Sequence, residues 1–167
     1  MRDRARISAV VAVGAFALLV AGCQTTPGED VDESLTVDDA KQIAQMMEDD
    51  IVALIPPENV VNVEQSSSGI LMGCADDGAS WAGGTTVTLA DGTDVETVMN
   101  GITEAFESRD GYQVRDVTAD GRTIMQIVAE RGGSYGFGPL GSDTTFDISS
   151  FSPCVPLTDG LSIGDKL

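Results

Sequence analysis

Apolar residues along the chain fall into two helical stripes and a series of alternating runs. Ala40, Ile43, Ala44, Met47, Ile51, Leu54 and Ile55 recur at intervals of three and four until Pro56 and Pro57 close the run, and Thr36 with Asp39 supplies a helix-start signal. This pattern predicts a first helix with a single apolar stripe. Its polar face carries acids and only Lys41 as a cation, which suits a helix packed on a sheet better than one lying on a membrane. A second stripe runs through Val95, Val98, Met99, Ile102 and Phe106. Thr93 and Glu96 match a capping box before it, and Asp110-Gly111 marks its end.

The other runs alternate as strands do. After a polar stretch over Gln65 to Ser68, the run from Gly69 to Cys74 reads as a first strand. A loop rich in Asp and Gly follows, and then Thr85 to Leu89. Beyond the second helix the chain reads as a meander: Tyr112 to Thr118, Thr123 to Glu130, Ser134 to Pro139 and Thr144 to Ser150. Turns are expected at Asp120-Gly121 and at Gly141-Ser142-Asp143. Together these elements predict an α+β fold with two helices packed on one face of a mainly antiparallel sheet of five or six strands. Within Thr123 to Ala129 both alternating sets are apolar, Ile124 and Val128 on one face and Met125, Ile127 and Ala129 on the other. Either loops shield the second face of the sheet, or a partner or ligand lies on it.

The first 22 residues follow a different grammar. Arg2, Arg4 and Arg6 precede an uncharged stretch from Ile7 to Gly22 that ends in small residues, the pattern of an export signal. At 16 residues the stretch is short of the roughly 20 needed to span a bilayer. Leu19-Val20-Ala21-Gly22-Cys23 resembles the lipobox of bacterial lipoproteins, whose cysteine receives a diacylglycerol before cleavage. The resemblance implies lipidation of Cys23 and attachment to the extracytoplasmic face of the cell membrane, with the two acyl chains that stable anchoring requires. The expected organisation is a signal peptide over 1–22, a lipidated cysteine with an acidic flexible tether over 23–35, and one domain over 36–167. A free tether of about 12 residues reaches roughly 19 Å, beyond the ~8 Å Debye length at physiological salt.

Acidity belongs to the exported part. The chain carries 27 acids against nine Lys and Arg, a net charge of −18, and removing 1–22 takes away three arginines and one aspartate to leave −20. Such a surface repels nucleic acid, so none is expected as a partner. With Cys23 assigned to lipid, Cys74 and Cys154 remain as a pair in an oxidising compartment, and a disulfide between them is expected. Two free thiols or a metal pair are the alternatives. A metal would find no further soft ligand in a chain without histidine.

The lipobox, the short acidic tether, a domain of this size, a cysteine after the first strand and the late Ser152-Pro153-Cys154 are similar in layout to small cell-envelope lipoproteins of actinobacteria, among them mycobacterial lipoproteins of unassigned activity. The resemblance implies a surface location and no particular reaction.

Catalytic motifs do not fill that gap. Gly132-Gly133-Ser134-Tyr135-Gly136 has the spacing of a nucleophile elbow, which needs a strand-to-helix turn and a histidine base. Gly136 to Gly141 has dinucleotide-loop spacing but opens no helix. Carboxylates cluster at Asp76 and Asp77, beside Cys74 and Trp81, and at Asp91 with Asp94. None of these has calcium-loop spacing. Trp81, the single tryptophan, sits among glycines and either caps the core or anchors a ligand. The expectation is a non-catalytic binding or interaction module of the envelope without cofactor or metal. Its candidate binding residues are Trp81, Asp76 and Asp77, and its partner is the membrane through Cys23 together with an envelope protein or ligand. The alternatives are a carboxylate-dependent cell-wall hydrolase and a carrier of a small or lipidic ligand in a cavity under Trp81.

Overall fold

The first helix, α1 (Val37–Val52), begins where the sequence pattern places it. Thr36 caps it, and the Thr36 hydroxyl and amide both donate to the Asp39 carboxylate, which holds that acid below its usual range. A computed structural model describes residues 30–75, 77–118, 121–142, 144–158 and 160–167; Cys23, the export segment and Asp76 lie outside the described residues. The second helix, α2 (Val95–Glu107), is capped by Asp94, which accepts from the Thr97 amide and hydroxyl, and not by the Thr93 and Glu96 box. Thr93 instead donates to the Ala90 carbonyl.

Eight strands form one antiparallel sheet: β1 (Val60–Gln65), β2 (Ile70–Gly73), β3 (Gly78–Leu89), β4 (Tyr112–Asp116), β5 (Met125–Ala129), β6 (Ser134–Pro139), β7 (Thr145–Phe151) and β8 (Val155–Pro156). The order is β1-β3-β7-β6-β5-β4, with the short β2 and β8 both paired to the start of β3. The α+β class and the two-helix layer are as the pattern predicts, while the strand count exceeds five or six for two reasons. First, β1 is an edge strand with both faces largely exposed, so it lacks the alternation that marks a half-buried strand. Second, β8 is two residues long, too short to show alternation, and is defined by its pairing with the start of β3, which runs 12 residues and begins seven before Thr85. Apart from Trp81, the first half of β3 is Gly, Ala and Ser, residues of weak strand preference that are held here by pairing on both sides.

Chain path decides what each helix covers. From β3 the chain crosses through α2 to the far edge at β4, then returns strand by strand through β5, β6 and β7 to lie beside β3. Helix α2 therefore packs on β4, β5 and β6, while α1 packs on β3 and β7. Registered pairs put Val114, Ile127, Tyr135 and Ser150 in one row and Met125, Phe137, Ile148 and Thr85 in the next. All face the helices. With Ala44 and Ile51 of α1 and Ile102 and Phe106 of α2 they form the core.

The opposite face carries no helix. Gln113, Arg115, Gln126, Ser134, Gly136, Ser149, Thr86 and Thr88 make it mostly small and polar, with half-buried Val128 beside exposed Phe151, Ile70 and Met72 at one end. The double apolar pattern of Thr123 to Ala129 thus resolves into a buried Ile127 on the core side and partly shielded residues on the other.

Two features of the tether end and the cysteines complete the frame. Cys74 and Cys154 are joined in a disulfide spanning 80 residues, with Cα atoms 5.9 Å apart. Asp30 to Leu35 does not extend the tether to Thr36 as expected. The Asp32 amide donates to the Cys154 carbonyl at 2.7 Å, and Leu35 packs on the core. Gly78 makes this docking possible, because a Cβ there would stand 2.7 Å from the Cys154 sulfur and 2.8 Å from Val31.

Candidate functional site

Because α1 lies over β3 and β7 while α2 lies over β4 to β6, the helix layer leaves a gap beside α1 at the end of β5 and β6. A cavity of about 920 Å³ occupies it. One wall is the flank of α1, presenting Ile43, Met46, Met47 and Asp50, positions three or four apart and so on one side of the helix. The floor is the helix-facing pair Tyr112 and Ala129, with Tyr135 from the neighbouring row. The third side is the docked segment with Asp32 and Leu35, together with Arg131 and Pro153. Arg109, just beyond α2 and outside the lining, pairs with Asp50 while its guanidinium lies 4.3 Å from the centre of the Phe106 ring.

Two tyrosines on the floor differ in their partners. Tyr112 donates to the Met47 sulfur at 3.7 Å and meets Phe106 edge-on. Tyr135 is 1% exposed and lines the cavity, yet its hydroxyl has no hydrogen-bond partner among the described residues. Gly133, at φ +93°, makes room for that hydroxyl: a Cβ at this position would fall 2.8 Å from the Tyr135 Oη. Burial, then the neighbouring Tyr112 and the Glu48 carboxylate, push the Tyr135 phenol well above its ordinary range, so it is a neutral donor.

Glu48 itself lies behind the floor, between α1 and the sheet. It is fully buried and accepts hydrogen bonds from Thr85 (2.7 Å) and Ser150. No cation pairs with it among the described residues, where the single ion pair is Arg109 with Asp50. A buried carboxylate held only by hydroxyls is a costly feature in a small core. The sequence carried a signal for it, an acid at position 48 between Ala44 and Ile51 on the apolar stripe of α1.

The residues singled out from sequence are not brought together here. Trp81 lies in β3, not in a loop, and is fully buried. Its ring fills the space that Cβ atoms at Gly69 and Gly83 would occupy, at 2.4 and 2.0 Å. It does not line the cavity, so the ligand-anchoring role and the carrier cavity under Trp81 give way to the core-capping role. Its indole nitrogen has no partner among the described residues. Asp77 is exposed at φ 61° in the turn between β2 and β3 and is not part of the cavity lining. Ser134 of the elbow-like motif sits within β6 with no helix after it, so that spacing is hairpin chemistry.

Three aspartates line the cavity: hydrogen bonds from Ser34 hold Asp32 below its usual range, Asp49 accepts from the Gln65 side-chain amide at 3.2 Å, and Asp50 is paired with Arg109. A carboxyl that is raised lies on the opposite face. Burial, partly offset by Arg122, lifts Asp147, which borders a hollow of about 40 Å³ that has room for little more than a water. Among the described residues no three His, Cys, Asp or Glu side chains converge as a metal would need, and no helix is long and apolar enough to cross a membrane. The chain matches no protein-family model, no curated protein and no solved structure.

Proposed function

We propose that this chain is a lipid-anchored binding module of the cell envelope. In this reading Cys23 carries the diacylglycerol, the domain stands on the extracytoplasmic face of the membrane, and the cavity beside α1 holds a small ligand without transforming it. The observation that carries the binding role is the cavity itself: its volume lies in the range of small-molecule sites, and apolar surface makes the larger part of its walls beside three aspartates and Arg131. The anchor rests on the lipobox-like run ending at Cys23 and on the basic residues that precede it. Val31 lies beside the disulfide, so the domain begins its packing eight residues after Cys23. Asp32 and Leu35 line the cavity, so the anchored end of the chain leads directly to its rim.

The helix layer takes the leading role in this reading, and the stapled sheet face, mostly small and polar, a lesser one. The test is fractionation of cells expressing the full chain or Cys23→Ala. The parent is expected in the membrane fraction, resistant to high salt, and Cys23→Ala outside it. Equal membrane retention of the two would refute the anchor.

A further inference from the structure

The cavity's chemistry narrows the ligand, on the reading of this chain as a binding module. Ile43, Met46, Met47 and Leu35 offer apolar contact, and methionine side chains adapt to more than one shape. Against that apolar lining stand the exposed Arg131 guanidinium and the hydroxyl of Tyr135. The Tyr135 side chain is 1% exposed and borders the cavity, and its hydroxyl makes no hydrogen bond among the described residues; the buried polar side-chain atom left without a partner there is the Trp81 indole nitrogen, so the Tyr135 oxygen is open to the cavity. Backbone geometry preserves the arrangement, since any side chain at Gly133 would collide with that oxygen and the φ of +93° there disfavours one.

Charge excludes one class of occupant. Asp32, Asp49 and Asp50 border the cavity against Arg131 and the Asp50-paired Arg109, and the Glu48 carboxylate lies behind the floor. An anion entering toward Tyr135 would meet the field of the Glu48 carboxylate behind the floor, which already acts on that phenol. A phenol that stays protonated can donate to a neutral oxygen and offers no charge to a carboxylate or phosphate.

We propose that the cavity binds an uncharged, apolar small molecule bearing a carbonyl oxygen, and that the Tyr135 hydroxyl donates a hydrogen bond to that oxygen. Tyr135 is thus a specificity-determining residue: the apolar walls supply affinity, and the phenol selects ligands with an acceptor at the right depth.

The test uses the full oxidised chain carrying Cys23→Ser, so that no acyl chain competes, with three naphthalene probes. One is 6-propionyl-2-dimethylaminonaphthalene, neutral with a carbonyl whose emission moves to the blue when it loses a hydrogen-bond donor. The second is N-phenyl-1-naphthylamine, neutral without a carbonyl, and the third is the anionic anilinonaphthalene sulfonate. Both neutral probes are expected to bind and the anion at least tenfold more weakly. Tyr135→Phe, which keeps the ring in place, is expected to weaken the carbonyl probe about five- to tenfold and shift its bound emission to the blue, with the naphthylamine unchanged within twofold. Met46→Glu, at an exposed wall position that folding does not depend on, is expected to weaken both neutral probes. If Tyr135→Phe leaves the carbonyl probe's affinity and emission unchanged while both neutral probes still bind, the ligand class is overturned and the binding module stands. Anion binding as tight as the carbonyl probe's overturns it as well. If no probe binds, or Met46→Glu changes nothing, both this inference and the cavity's binding role fall.

Discussion

Replacing Glu48 by leucine removes the buried carboxyl group and leaves Thr85 and Ser150 with hydroxyls pointing at an apolar side chain. Each stranded hydroxyl costs about 1–3 kcal/mol when it has no partner, and the two lie in a region where Thr85 and Ser150 are each 1% exposed. Relief from burying a polar carboxyl group offsets part of that cost. The expected net loss for Glu48→Leu is about 2–4 kcal/mol, a large fraction of the stability of a domain this size. Removing all three polar groups tests the mechanism. The triple variant Glu48→Leu, Thr85→Val, Ser150→Ala leaves nothing unsatisfied and is expected within about 1 kcal/mol of the parent, as apolar replacements of buried polar clusters often are. Urea titration followed by Trp81 emission measures both, because the chain has one tryptophan and it is fully buried. A neutral single variant, or a triple variant no more stable than the single, would refute the view that these hydroxyls depend on Glu48.

Removing the disulfide by Cys74→Ala with Cys154→Ala frees a loop with a separation of 80 residues. The chain-entropy argument gives a loss of up to about 4–5 kcal/mol. Reductant is expected to lower the urea midpoint of the parent and leave the double variant unmoved. A midpoint shift of the double variant corresponding to less than about 1 kcal/mol would contradict that figure. Asp147 should respond to pH in a predictable direction. Its raised folded-state value means the native protein binds the proton more tightly than the unfolded chain. Stability is therefore lost as pH rises from the ordinary carboxylate range through the folded value, and the loss is complete at neutral pH. Asp147→Asn is expected to raise the melting temperature at neutral pH and to give no gain in acid below the ordinary carboxylate range; an equal gain at both would point away from ionisation.

Much of the frame is written locally. The stripes of α1 and α2, the caps at Thr36 and near Asp94, and the strands of the meander each depend on spacing within a dozen residues, and the Cys74–Cys154 bond follows from counting cysteines in a chain read as exported. What escaped local reading depends on distant neighbours. Strand β1 shows little alternation because it lies at an edge with both faces largely exposed. Trp81 looked like a loop residue until β2, β7 and β8 supplied partners for the glycine-rich start of β3. Glu48 was visible as an acid on an apolar stripe, but the hydroxyls it accepts from lie 37 and 102 residues away. The cavity is less local still, being the space left because one helix covers β3 and β7 and the other covers β4 to β6. Tyr135 stood inside a serine-centred motif that drew attention to its neighbour Ser134.

The location of the binding surface is the claim on which the functional account rests, and methyl resonances can test it whatever the natural ligand is. The full chain with Cys23→Ser, labelled at Ile and Met methyls, is titrated with 6-propionyl-2-dimethylaminonaphthalene. Shifts are predicted at Ile43, Met46 and Met47 on the cavity wall, with Ile70, Met72 and Ile163 unmoved. Shifts confined to Ile70, Met72 and Ile163 would move the site away from the helix layer and contradict the cavity as the seat of function.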